Sequence, residues 1–199
     1  MASLKTKADY DKMTNEELVA YLDKLDKATF NGYVDGTTKV RYFVDKYGES
    51  FIKLIKGSGL FLSGVIAQSM YESGFGRRLP TDKYTGAISN NFAGIKYNPT
   101  IHEGYVVSDT TEIIKGKQVK VLNVKFAKFT NPAEGIKKHI STLLSDRYKN
   151  ARLNAKSPEE QIKMIIEAGY ASANPDKYVN DLKGNISRVR KLLPFGRIA

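Results

Sequence analysis

The chain is predicted to be an α+β domain with a mostly helical core and one β-hairpin lobe. Three observations carry this. Apolar residues recur at helical spacing before residue 76 and after residue 131, β-branched residues dominate Gly104 to Phe129, and residues 77–104 between them have Gly, Pro, Asn and Asp punctuation without a period. With 199 residues, 41% hydrophobic and 27% charged, the chain can bury a substantial core and is not disordered material. No run of 18 apolar residues is present, so no membrane-spanning helix is expected. Zero cysteines exclude disulfide and thiolate chemistry, and two histidines, His102 and His139, argue against a histidine-built metal site.

Taken in order, Thr14 with Glu17 forms a capping box that opens a helix carrying Leu18, Val19, Tyr21, Leu22 and Leu25. Asn31-Gly32 and Asp35-Gly36 mark turns. A second helix begins near Thr38, pauses at Gly48, and resumes through Phe51 and Ile55 until Gly57-Ser58-Gly59. Phe61–Gly76 is the central helix, with Leu62, Val65, Ile66 and Met70 inward and the small residues Ser63, Gly64, Ala67 and Ser69 allowing close approach. The loop 77–104 follows, then a β-hairpin or small three-stranded sheet that turns at Lys115-Gly116-Lys117. Asn131-Pro132, Ser157-Pro158 and Asn174-Pro175 open three closing helices, the last stopped by Pro194.

Glu72 is the candidate for chemistry. It sits at the C-terminal end of the central helix, beside Tyr71 and Phe75 and ahead of Gly74 and Gly76. Helix dipole and partial burial both disfavour its ionised form, which is the condition for a general acid near neutral pH. The competing reading is a capped or paired carboxylate at a helix end. A second carboxylate would make an active site, and Glu103, Asp109 and Glu112 on the hairpin are candidates, each equally readable as a solvated charge. His139 and His102 read as surface or satisfied histidines. Tyr84, Tyr97 and Tyr105 lie on and before the hairpin and could stack on a flat ligand face or simply pack.

Three segments together resemble a known family. AQSMYESGFG (67–76), SNNFAGIKY (89–97) and TTEIIKGKQVKVLNVKFAKFTNPAEGIKKH (110–139) are similar to the AQ-x-x-x-ES-G-aromatic-G, NN-x-F/A-GIK and T-x-E hairpin signatures of glycoside hydrolase family 73, the bacterial and phage N-acetylglucosaminidases. AGYASANPDKY (168–178) is a weaker fourth match, and the resemblance covers about residues 38–193. Phe75 stands where Trp is commoner, and the extra residue in SANPDKY shifts Tyr178 relative to the family spacing.

The resemblance implies a lysozyme-like fold. Residues 1–36 would form an N-terminal helical extension packed on a glucosaminidase domain, 37–199, whose hairpin lobe is about 104–129. It implies Glu72 as general acid, Glu112 as the second carboxylate and Tyr170 as a tyrosine facing the cleft. Asn90, Asn91, Phe75, Tyr97 and Gln68 would contact substrate. The implied reaction is hydrolysis of peptidoglycan on the reducing side of N-acetylglucosamine, with no metal or organic cofactor. A lytic transglycosylase or muramidase of the same fold is one alternative.

The formal charge is +11, and residues 1–30 carry five Lys against six Asp and Glu, so the excess lies in the remainder. That excess fits an anionic cell-wall polymer. A non-enzymatic, nucleic-acid-binding helical protein is the rival that explains charge alone, and the acidic first helix counts against it. No secretory signal is visible in MASLKTKADYDKMTNEE, which suggests a phage lysin, a virion-associated hydrolase or another export route. The protein is expected to act as a monomer on glycan strands in the periplasm or outside the cell.

Overall fold

The computed structural model describes residues 5–114, 117–171 and 174–193. Three short helices begin it: α1 (Lys7–Asp11), α2 (Asn15–Asp23) and α3 (Lys27–Tyr33). Thr6 with Asp9 and Thr14 with Glu17 make capping boxes on the first two, and Asp26 caps the third. Asn31-Gly32, a turn by sequence, lies inside α3. The Asp26 cap and the full burial of Phe30, its ring 5.4 Å from that of Tyr42, outweigh the turn propensity.

Helix α4 (Gly36–Ile55) runs through Gly48 without the expected pause. A mid-helix glycine costs about 1 kcal/mol. The buried aromatic series Phe43, Tyr47 and Phe51, with Phe43 5.0 Å from Tyr47 and 6.1 Å from Phe51, offsets that cost. The central helix α5 (Leu62–Ser73) is buried along nearly its whole length. A Cβ on Gly64 would lie 3.3 Å from Pro158, so this glycine sets how closely α5 meets the helix beginning there.

The sheet has two antiparallel strands, β1 (Tyr105–Ile114) and β2 (Lys117–Ala127), not three. Its register shifts between Ser108 and Thr110, where Asp109 faces an extra residue and its carboxylate accepts the Asn123 N–H at 3.0 Å. Val106, Phe126 and Ala127 are buried at the base, while most of β2 faces solvent. Of the expected turn, Lys115 and Gly116 lie outside the described residues, as does Pro194.

The chain closes with α6 (Pro132–Leu143), a 3-10 turn (Asp146–Tyr148) leading into α7 (Lys149–Asn154), then α8 (Pro158–Glu167) and α9 (Pro175–Leu192). Asn131, Ser157 and Asn174 cap α6, α8 and α9 as expected, each with proline in the first turn. The 3-10 turn and α7 carry no such opening signal and go unread in the sequence.

The main core gathers α4, α5, α6, α8 and α9 around Phe43, Ile66, Met70, Ile140 and Leu182. A smaller cluster of Tyr10, Leu18, Leu22, Phe30, Val34 and Tyr42 joins α1–α3 to α4, and Phe75 packs against both clusters. Two arginines add polar ties. Arg41 donates to the carbonyls of Tyr10 and Met13, and Arg77 donates to those of Leu22, Asp23 and Leu25 at the C-terminal end of α2.

Candidate active site

Glu72 is the last residue but one of α5, and the helix stops because Gly74 takes the left-handed conformation at φ 54°. A Cβ there would also meet the Arg78 side chain, which would have to shift. The side chain of Glu72 opens into a cleft of about 560 Å3, walled on one side by α5 and on the other by the hairpin. A second hollow of about 270 Å3, lined by Tyr148, Tyr170 and Gly169, shares Glu72, Ala93 and Gly94 with the first. Glu72 thus stands where the two meet.

Two influences act on its carboxyl. Glu72 keeps solvent access along the open cleft, yet the protein packed around its carboxyl removes enough hydration to push the pKa up, and the Tyr178 hydroxyl, donating to Oε1 at 2.6 Å, pulls it down. Desolvation wins, and the group holds its proton to higher pH than an ordinary glutamate. Tyr178 is itself buried on α9, its ring 5.2 Å from that of Tyr71 and near the fully buried amide of Gln68. Its own pKa is pushed far up by burial and by Glu72, so it remains a donor.

Behind the second hollow lies a neutral chain. Tyr170 Oη meets His139 Nε2 at 3.1 Å, and His139 Nδ1 meets Ser69 Oγ at 2.8 Å. His139 is completely buried, and burial alone lowers its pKa to about 4. It is therefore an uncharged, doubly satisfied histidine.

Glu112 lines the same cleft as Glu72 from β1, and Lys96 donates to its Oε1 at 2.7 Å. The structure also brings Tyr170 and Asn91 to the cleft walls. Asn91, however, spends its side chain on scaffold: Nδ2 donates to the carbonyls of Ile95 and Ala127, and Oδ1 accepts from the Ile95 N–H. Asn90, at φ 54°, donates to the Phe129 carbonyl at 2.9 Å and lines a different groove, beside Tyr47 and Arg77. Both asparagines hold the 89–97 loop to the base of the hairpin.

Three further residues named by the resemblance lie elsewhere than the lining of the two hollows. Gln68 is fully buried, Phe75 packs between the two core clusters, and Tyr97 packs on Tyr105 at 4.8 Å outside the cleft. Tyr178, His139, Ser69 and Lys96 make the hydrogen bonds around Glu72, Tyr170 and Glu112; of them the sequence reading singled out only His139, as a surface or satisfied histidine, and Tyr178, as shifted from the family spacing. A signal existed for His139: it shares the inward face of α6 with Ile136, Ile140 and Leu143, where a polar residue must have a partner.

A hairpin wall over a helical floor, with one desolvated carboxyl at the centre of the cleft, is the arrangement of a lysozyme-like glycoside hydrolase. The chain belongs to the glucosaminidase family of glycoside hydrolases, family 73: the family described as mannosyl-glycoprotein endo-β-N-acetylglucosaminidase matches residues 48–191. The peptidoglycan hydrolase FlgJ of Pseudomonas aeruginosa is 30% identical over 109 residues, which are 54% of this chain and 27% of that relative's length. The chain thus spans well under half of that protein.

Solved structures show the same fold. A peptidoglycan hydrolase mutant from Sphingomonas sp. A1 has a TM-score of 0.64 at 21% identity, covering 77% of this chain and 98% of that one. The truncated glycoside hydrolase domain of Salmonella typhimurium FlgJ has a TM-score of 0.59 at 23% identity, covering 75% and 96%. The catalytic domain of the Listeria monocytogenes autolysin Auto covers 94% and 96%, with a TM-score of 0.58 at 21% identity.

Proposed function

We propose that the chain hydrolyses bacterial peptidoglycan at the β-1,4 bond on the reducing side of N-acetylglucosamine, with Glu72 as general acid. The observation that supports this reading most is the desolvated Glu72 carboxyl, held by Tyr178 at the junction of two hollows that a glycan strand could span. Glu72 passes its proton to the glycosidic oxygen as the C1–O bond breaks and positive charge grows at C1. Either Glu112, from the opposite wall, or the substrate's own acetamide offsets that charge. A water oxygen then bonds to C1 and gives up a proton, which restores the acid.

Tyr170, at the rim of the second hollow and fixed by His139, is placed to donate to the sugar or its acetamide. The substrate places the enzyme's work in the cell wall, outside the cytoplasmic membrane. No helix among the described residues is long and apolar enough to cross one. Mass spectrometry of borohydride-reduced wall digests tests the bond assignment. Reduced N-acetylglucosamine ends are expected, whereas reduced muramic ends or anhydro-muramic ends would replace this reading by a muramidase or a transglycosylase.

A further inference from the structure

The cleft does not end at the catalytic residues. Past Glu72 its wall at Arg78, Pro80 and Phe126 is shared with a neighbouring hollow of about 460 Å3. That hollow shares Lys27, Arg77, Leu79 and Thr81 with a third, of about 330 Å3, which reaches Lys46 and Ile88. The result is a trench leading away from Glu72 over the seam between α3 and the loop.

Its lining is one-sided. Lys27, Lys46, Arg77 and Arg78 border these two hollows, and no Asp or Glu does. Two of the cations are already engaged: Lys46 pairs with Asp23 at 2.6 Å, and Arg77 caps the end of α2. Lys27 and Arg78 are exposed and have no carboxylate partner among the described residues. Between them lie the apolar side chains of Leu79, Pro80 and Ile88, and the tyrosines of the trench, Tyr42 and Tyr47, are buried rather than presenting an open ring face. A sugar subsite would want an aromatic platform. Small apolar contacts flanked by two free cations suit a short peptide that bears methyl side chains and carboxylates.

We propose that this trench binds the carboxylate-bearing peptide stem of the substrate, with Lys27 and Arg78 as the specificity-determining pair. The proposal rests on the peptidoglycan reading above for the identity of the peptide. Arg78, at the border with the catalytic cleft, would meet a carboxylate close to the sugar, and Lys27 one farther along the stem.

Titration of free stem peptide into the full chain, followed by amide NMR, tests this without catalysis. Binding is expected with shifts at Thr81 and Ile88. It should weaken about tenfold when the peptide carboxylates are amidated and by a similar factor in the Lys27→Gln/Arg78→Gln double variant. In parallel, wild type should show a lower KM for peptide-bearing than for peptide-free glycan strands, and in the double variant the ratio of the two should fall toward one. A peptide that binds neither protein, or both equally, overturns the proposal, as does binding of wall teichoic acid in its place. Peptide binding by a wild type that cleaves neither strand would overturn the hydrolase reading and leave the subsite standing.

Discussion

At residue 72 two influences of opposite sign meet, and they can be separated by substitution. The Tyr178 hydroxyl lowers the pKa of Glu72, while desolvation raises it further. A raised acid donates below its pKa and fails as pH rises through it. Tyr178→Phe removes the lowering influence, so the alkaline limb of the pH–rate profile should move to higher pH, while the rate at neutral pH falls about tenfold for one lost hydrogen bond. A limb that moves to lower pH would contradict the assignment. His139 carries the opposite sign into stability. Its pKa falls from an ordinary 6.5 to about 4 in the folded state, so the unfolded chain binds the proton first as pH drops. Stability is therefore lost between pH 6.5 and 4, by roughly 3 kcal/mol from this residue. Urea midpoints measured across that range should slope less in His139→Gln than in wild type. Sequence reading placed Glu72 at a helix end beside aromatics, and the structure keeps it there, open to the cleft with Tyr178 on its carboxyl. It missed the Ser69–His139–Tyr170 chain because its members lie on three different elements, α5, α6 and the loop before α9.

Among the elements, the loop 77–104 depends most on its neighbours. It contains no helix or regular strand, and it is held instead by side chains at its ends. Asp82 accepts N–H groups from Tyr84, Thr85 and Val107, the last of which chiefly lowers its pKa to about 2. Asn91 ties the other end to β2. α6 constrains the loop sterically, since a Cβ on Gly135 would overlap the Asn90 carbonyl. Gly135→Ala should push the 89–97 segment toward the cleft, with activity falling tenfold or more and a melting temperature lowered by a few degrees. Normal kinetics in that variant would show that the loop is not positioned by α6.

The elements also mark what local pattern could convey. Caps at Thr14, Asn131, Ser157 and Asn174 are local signals and are legible. The continuity of α4 through Gly48 and of α3 through Asn31-Gly32 is decided by tertiary burial, which no local window contains. The family resemblance implies substrate contacts for the asparagines of the 89–97 loop. Their amides are instead consumed by backbone carbonyls that only the fold brings near.

For the molecule as a whole, the charge excess and the cleft combine into one expectation. A chain of formal net charge +11 is drawn to polyanions in general, and screening shortens from about 10 Å at 0.1 M salt to about 3 Å at 1 M. Activity on intact walls should fall severalfold over that range, while activity on short, uncharged glycan fragments should change little. Equal loss on both substrates would place the salt effect in the cleft rather than at the surface. The helical core serves the site by fixing α5 between α4, α8 and α9, so that the end of one buried helix meets Tyr178 of another. The central claim is that this meeting point carries the proton. Its most direct test is the rate of wall clearing by Glu72→Gln beside wild type, with circular dichroism and melting temperature matched. The account predicts a loss of at least about a thousandfold with the fold intact; clearing by a folded mutant at a rate near that of wild type would contradict it.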